Sequence, residues 1–190
     1  GLCRLANDIK GAYRFGPYKP VLIELLKQGV IQSAEVQTHG GEIVEMVIHR
    51  DNLPLLQRAQ DSDLPTPRTT FINFFDSLLW PRFRDADLWG MEIVIEAYTP
   101  APKRKWGYFC LPILHRDRLV GRFDPTLDRK TGTLTIHALY LEGDAQPDEE
   151  LIAAVSTAMR DFMKFHHASD LVIEKSVPGE FGKKLLKELG

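Results

Sequence analysis

Between Glu96 and Tyr108 the chain reads Glu-Ala-Tyr-Thr-Pro-Ala-Pro-Lys-Arg-Lys-Trp-Gly-Tyr, and Leu119-Val-Gly-Arg-Phe-Asp124 follows close behind. From Lys103 to Arg122 there are six cations (Lys103, Arg104, Lys105, Arg116, Arg118 and Arg122) against one acid, Asp117. The chain as a whole has a formal net charge of −2, so this is a local concentration of positive charge and not background. Cations on a turn preset by Pro100 and Pro102, beside the aromatic Trp106, suit a phosphate backbone. Charge supplies the affinity there and a rigid turn fixes the register. A solvated hairpin tip is the competing reading of the same pattern.

Other groupings have less to offer. His166-His167 with Asp170 has the residue types of a metal site. Adjacent side chains on a helix point about 100° apart, however, so the two rings do not chelate one ion from a regular helix. A helix C-terminus favours histidine through the dipole in any case. His115 and His137 are isolated in strand or turn contexts and read as structural. There is no phosphate loop, dinucleotide fingerprint, nucleophile elbow or His-Glu-x-x-His sequence. Cys3 and Cys110 are single and distant, which argues for a reducing compartment and against a disulfide scaffold or zinc site. Cys110 sits in an apolar run and reads as a small buried hydrophobe.

The elements that must hold this turn follow the pattern of an α+β chain. In residues 1–58, Leu2, Leu5, Ile9 and Ala12 recur at helical spacing, and Pro20 opens a second helix over Val21–Gln28 that Gly29 caps. Strand-like runs Val30–Gln37 and Ile43–His49 flank Thr38-His-Gly-Gly41, a hairpin tip. Helix, turn, helix, hairpin is the order of a winged helix, with its first helix lacking. The chain opens inside a helical pattern without a Met or a start signal, and we read it as a fragment of a longer sequence. Residues 59–145 form a β-rich segment: 91–98 alternates as a half-buried strand, Trp106–Leu114 reads as a central one, and Arg118–Phe123 and Leu134–Leu141 follow. Four strands in meander order predict an antiparallel sheet or partial barrel. Residues 146–190 pack on it as helix, strand and helix, with Asp148 as N-cap of the first. No apolar run approaches the roughly 20 residues that span a bilayer, and no secretory signal is visible.

Four stretches occur in unbroken order: Asn73-Phe-Phe-Asp-Ser-Leu-Leu-Trp-Pro-Arg-Phe-Arg84, Leu88-Trp-Gly90, Glu96 to Leu114, and Leu119-Val-Gly-Arg-Phe-Asp-Pro125. This series resembles the C-terminal half of the YcaQ/AlkZ-type winged-helix DNA glycosylases, closely from Phe71 to Glu142 and in pattern only on the flanks. The resemblance implies a cytoplasmic enzyme that hydrolyses the N-glycosidic bond of alkylated purines in double-stranded DNA, interstrand crosslinks among its substrates. It implies water as co-substrate, no cofactor, and a monomer.

Excision of a damaged base needs a water or carboxylate held at the sugar C1′, and an N7-alkylated purine is already cationic, so one well-placed carboxylate suffices. In the family this role belongs to a Gln-apolar-Asp or Gln-apolar-Gln motif near the start of the full-length chain. Gln146-Pro147-Asp148 has the letters without the context, and we assign no catalytic residue here. The segment is expected to supply grip and scaffold. Arg82 and Arg84 join the six cations as DNA-contact candidates, with ion pairing to Asp76, Asp85 or Asp87 as the alternative. The family more often has an acid where Pro81 stands, which leaves both readings open. Two other functions compete: a non-catalytic winged-helix regulator, and a partner-binding domain that docks through the helix after Asp148. Such regulators read bases with a helix rich in Arg, Asn or Gln, and the helix over Lys19–Gln28 is apolar with only Lys19, Lys27 and Gln28 of cationic or amide type, which disfavours the regulator.

Overall fold

The computed structural model describes residues 3–4, 19–64, 68–76, 78–79 and 82–190; the side chains of 3, 4, 19 and 82–84 are not described. These residues divide into two compact units, one drawn from 1–65 and 77–92, the other from 66–76 and 93–190.

In the first unit, strands β1 (Cys3–Arg4), β2 (Ile31–Gln37) and β3 (Ile43–His49) form an antiparallel sheet in the order β1-β3-β2. Helix α1 (Lys19–Lys27) precedes the hairpin and ends in a Schellman closure. There the Val30 and Gly29 N–H groups donate to the Leu25 and Leu26 carbonyls, each at 3.0 Å. Gly29 takes φ +66°, the left-handed conformation that this closure needs. Helices α2 (Leu53–Gln60) and α3 (Arg82–Trp89) belong to the same unit. The helical spacing expected from Leu2 is overturned at Cys3 and Arg4, which pair with Val47 and Met46 in β3. An open edge beside a buried strand offers backbone partners that local periodicity does not count. Leu2 and residues 5–18, where the helix before α1 is expected, lie outside the described residues.

The second unit holds β4 (Thr69–Phe71), β5 (Leu111–His115), β6 (Arg118–Asp128), β7 (Thr133–Leu141), β8 (Asp170–Ile173) and β9 (Ser176–Val177). Their order is β4-β5-β6-β7-β8, with β9 also on β7. β4 to β7 are antiparallel, whereas β8 and β9 run parallel to β7 because α4 (Glu149–His166) carries the chain back between them. The Asp148 carboxylate accepts the Leu151 N–H at 2.8 Å, as an N-cap should. α4 and the last helix, α5 (Gly179–Leu189), cover one sheet face; Ile113, Phe123, Ile136, Leu139, Val155, Met159, Phe181 and Leu185 fill the core between.

Two expected strands change. Residues 91–98 form no ladder, and β5 begins at Leu111, not at Trp106. The strand beside β5 is β4 instead. The reason lies in where the amides of 105–109 point, described next. Between Asp124 and Pro125 the β6–β7 register shifts: Asp124 faces Ala138 and Pro125 faces Ile136, so His137 is the extra residue of a bulge. Pro125, with no N–H to give a ladder, fits such a position. Before the bulge, Phe123 points into the helical core and its neighbours Arg122 and Asp124 point to the opposite face.

Candidate nucleic-acid interface

That opposite face is where the basic turn is fastened. Glu96 and Asp124 are 8% and 6% exposed, so both carboxylates need hydrogen-bond donors. Five consecutive amides supply them. The Lys105 N–H donates to Glu96 Oε1 at 2.7 Å, and those of Trp106 and Gly107 donate to Oε2 at 2.7 and 3.2 Å. Tyr108 and Phe109 N–H donate to Asp124 Oδ2 and Oδ1 at 2.8 and 3.0 Å. A segment whose amides are all committed this way has none left for a strand ladder, which is why no strand forms before Leu111. Gly107 is required by proximity: a Cβ there would lie 2.3 Å from Asp124 Oδ2.

Burial alone would raise the pKa of Glu96, but the three N–H donors and the Arg104 charge outweigh it and hold the carboxyl below its ordinary 4.5. Cys110, just before β5 and half-buried, has its thiol pushed up to about 12 by burial, with the Asp124 charge adding to the effect.

With its backbone turned inward, the loop presents Lys103 and Lys105 outward. Ala101–Lys103 is a 3-10 turn, closed by Lys103 N–H to Pro100 O at 2.8 Å. Lys103 and Lys105 are exposed, and among the described residues Lys103, Arg104 and Lys105 form no salt bridge. Arg104 has a bracing role as well: its Nε donates to Thr99 O at 2.8 Å and its guanidinium lies 4.9 Å from the Tyr108 ring centroid. Trp106 turns toward the sheet, edge-on to Tyr140 at 5.1 Å. Lys105 Nζ and the Arg122 guanidinium lie 4.5 and 4.2 Å from its ring centroid.

The other cations separate into different roles. Arg122 is 4% exposed and bonded to Glu142 through Nη2 at 2.8 Å and Nε at 3.2 Å. It is a buried support under Trp106, not a surface cation, which corrects its place among the expected DNA contacts. Arg116 and Arg118 are surface residues paired with Glu150 and Asp144. Such exposed pairs contribute about 0–1 kcal/mol, so they exchange partners readily. The Arg82 and Arg84 side chains lie outside the described residues.

The histidines are not isolated. His115 Nδ1 is 2.8 Å from Thr69 Oγ1, and His137 at the bulge lies between Glu174 Oε2 at 2.8 Å and Thr126 Oγ1 at 3.1 Å, on the open sheet surface. His166 packs against Phe162, centroids 4.4 Å apart, and His167 takes the left-handed C-cap with φ +57°. In Gln146-Pro147-Asp148, Asp148 is the N-cap already described and the Pro147 carbonyl accepts Lys184 Nζ at 3.3 Å.

Fold and loop together define an α+β protein that carries a cationic turn anchored by two buried carboxylates, one of them in a strand of the sheet. Residues 12–165 match the family model described as DNA glycosylase AlkZ-like, well over half of the 190 residues. The chain belongs to the AlkZ-like DNA glycosylase family. Membership brings a DNA-repair glycosylase role, with DNA as the substrate. No solved structure matches the chain. Among the described residues no helix is long and apolar enough to cross a membrane.

Proposed function

We propose that this chain provides the duplex-DNA grip and scaffold of a glycosylase that hydrolyses the N-glycosidic bond of alkylated purines, interstrand crosslinks included. The reading puts the protein in the cytoplasm as a monomer that uses water and no cofactor. The observation that carries it is the exposed pair Lys103 and Lys105 on a loop whose backbone is committed to Glu96 and Asp124. A grip of this kind positions the duplex without reading it, because lysines on a turn offer charge and no base-edge code. Arg116 and Arg118 become further phosphate contacts once they trade Glu150 and Asp144 for phosphates. Such a role suits a family whose substrate is defined by damage and not by sequence.

The test is duplex binding across a salt series. Wild type should bind with steep salt dependence and no sequence preference. The double substitution Lys103→Ala with Lys105→Ala should weaken every sequence alike. It should also flatten the slope of log affinity against log salt by about 0.9 for each phosphate no longer neutralised. An unchanged slope would move the grip away from this turn, and a marked sequence preference would favour the regulator.

A further inference from the structure

Tyr98 is 91% exposed and Tyr108 54%, an unusual display for two large aromatic rings on one loop. Neither dangles. The Thr99 N–H donates to Glu96 O at 2.9 Å, which closes a turn directly around Tyr98. Arg104 bridges the two ends of the loop, its Nε on the backbone carbonyl of Thr99, next in the chain to Tyr98, and its guanidinium against the Tyr108 ring. The Arg104 N–H also donates to Ala101 O at 3.2 Å, and Pro100 and Pro102 restrict what remains of the loop's freedom. Lys103 and Lys105 flank Arg104 in the chain. Single exposed apolar side chains are ordinary and need no explanation. Two exposed rings on a fixed backbone, one of them against a guanidinium, bordered by cations in a protein of a DNA-acting family, make a specific chemical surface.

We propose that Tyr98 and Tyr108, exposed on the loop that Arg104 braces, form a stacking platform for unpaired bases of DNA beside the phosphate-contacting Lys103 and Lys105. The inference rests on the proposed DNA grip. A base paired within a helix shows its edges in the grooves and hides its faces, so a tyrosine face meets a base face only where pairing is disrupted or absent. Every base has such a face, which makes the contact tolerant of sequence. The platform therefore gives this loop a preference for damaged or opened DNA that the lysines cannot provide.

Binding of the 190-residue chain is measured to three probes of equal charge: a perfect duplex, the same duplex with one unpaired 2-aminopurine, and a single strand. Wild type should favour the two probes with unpaired bases and quench the 2-aminopurine. Tyr98→Ala should bind those two about 5- to 150-fold more weakly and lose the quench, while its duplex affinity and salt slope stay as in wild type. Tyr98→Phe should behave as wild type, since stacking uses the ring and not the hydroxyl. If Tyr98→Ala binds all three probes as wild type does, the platform is refuted and the lysine grip stands. If wild type binds none of them, the grip and the platform fall together.

Discussion

Glu96→Gln tests whether the buried carboxylate organises the loop. Glutamine keeps the size of the side chain but replaces one acceptor oxygen with an NH2 group. With its oxygen in the Oε2 position it still receives Trp106 and Gly107, but its NH2 group then faces the Lys105 N–H, donor against donor. In the other orientation two of the three amides lose their acceptor. A hydrogen bond to a charged group contributes about 1.5–3 kcal/mol and its neutral counterpart about half as much, while the amide side chain is cheaper to bury than a carboxylate. The net expectation is a destabilisation of about 1–3 kcal/mol. Urea unfolding should report it as a lower midpoint at unchanged slope. Native-state amide exchange should show faster exchange at Lys105, Trp106 and Gly107, with Tyr108 and Phe109, which rest on Asp124, less affected.

The sign of the pH dependence follows from the same contacts. The folded-state pKa of Glu96 lies below its ordinary 4.5. Its contribution is therefore complete above that value and is lost as pH falls through the lowered one. The stability gap between wild type and Glu96→Gln should be constant near neutrality and shrink at pH below about 4.5. A gap under about 0.5 kcal/mol with unchanged exchange, or a gap flat from about pH 7 to about pH 3, would refute the account of Glu96 as the loop's anchor.

Gly107→Ala should destabilise the protein by about 1–3 kcal/mol, because the new methyl meets the Asp124 carboxylate and the carboxylate is held by two amides; an unchanged urea midpoint would show that Asp124 yields freely. In a Cys3→Ser background, Cys110 should react with iodoacetamide far more slowly than a peptide thiol at about pH 8, and promptly once unfolded, because a thiol at about 12 is almost wholly protonated there. Prompt labelling of native protein would place that thiol at the surface.

What the sequence discloses and what it hides divide along a physical line. Elements specified by local chemistry are legible: the Gly29 closure, the Thr38–Gly41 hairpin tip, the Asp148 cap, and the helical stripes of α4 and α5. Their causes lie within a few residues of one another. Residues 91–98 mislead because a period of two describes apolar placement and carries no information about where the amides find partners. Glu96, on the polar side of that alternation, is buried and receives amides 9 to 11 residues further on. A faint signal exists at Asp124, an acid directly after the core residue Phe123 and directly before Pro125. Such an acid must be hydrogen-bonded, but by what the sequence does not say.

The six cations show why charge counting finds a basic region and not its working residues. Six positive charges between Lys103 and Arg122 are equivalent as letters. Strand direction separates them: Arg122 shares with Asp124 the face that Trp106 covers, so it is enclosed and needs Glu142. Arg116 and Arg118 stand at the β5–β6 turn, within reach of Glu150 and Asp144. Among the described residues Lys103 and Lys105 form no salt bridge, for a different reason. Glu96, the carboxylate bonded at Lys105 itself, is already occupied by three backbone amides and spends its charge inside the turn. The same acid that anchors the turn thus leaves its lysines available, which is why the sharpest perturbation of this basic feature is not the removal of a base but the neutralisation of Glu96.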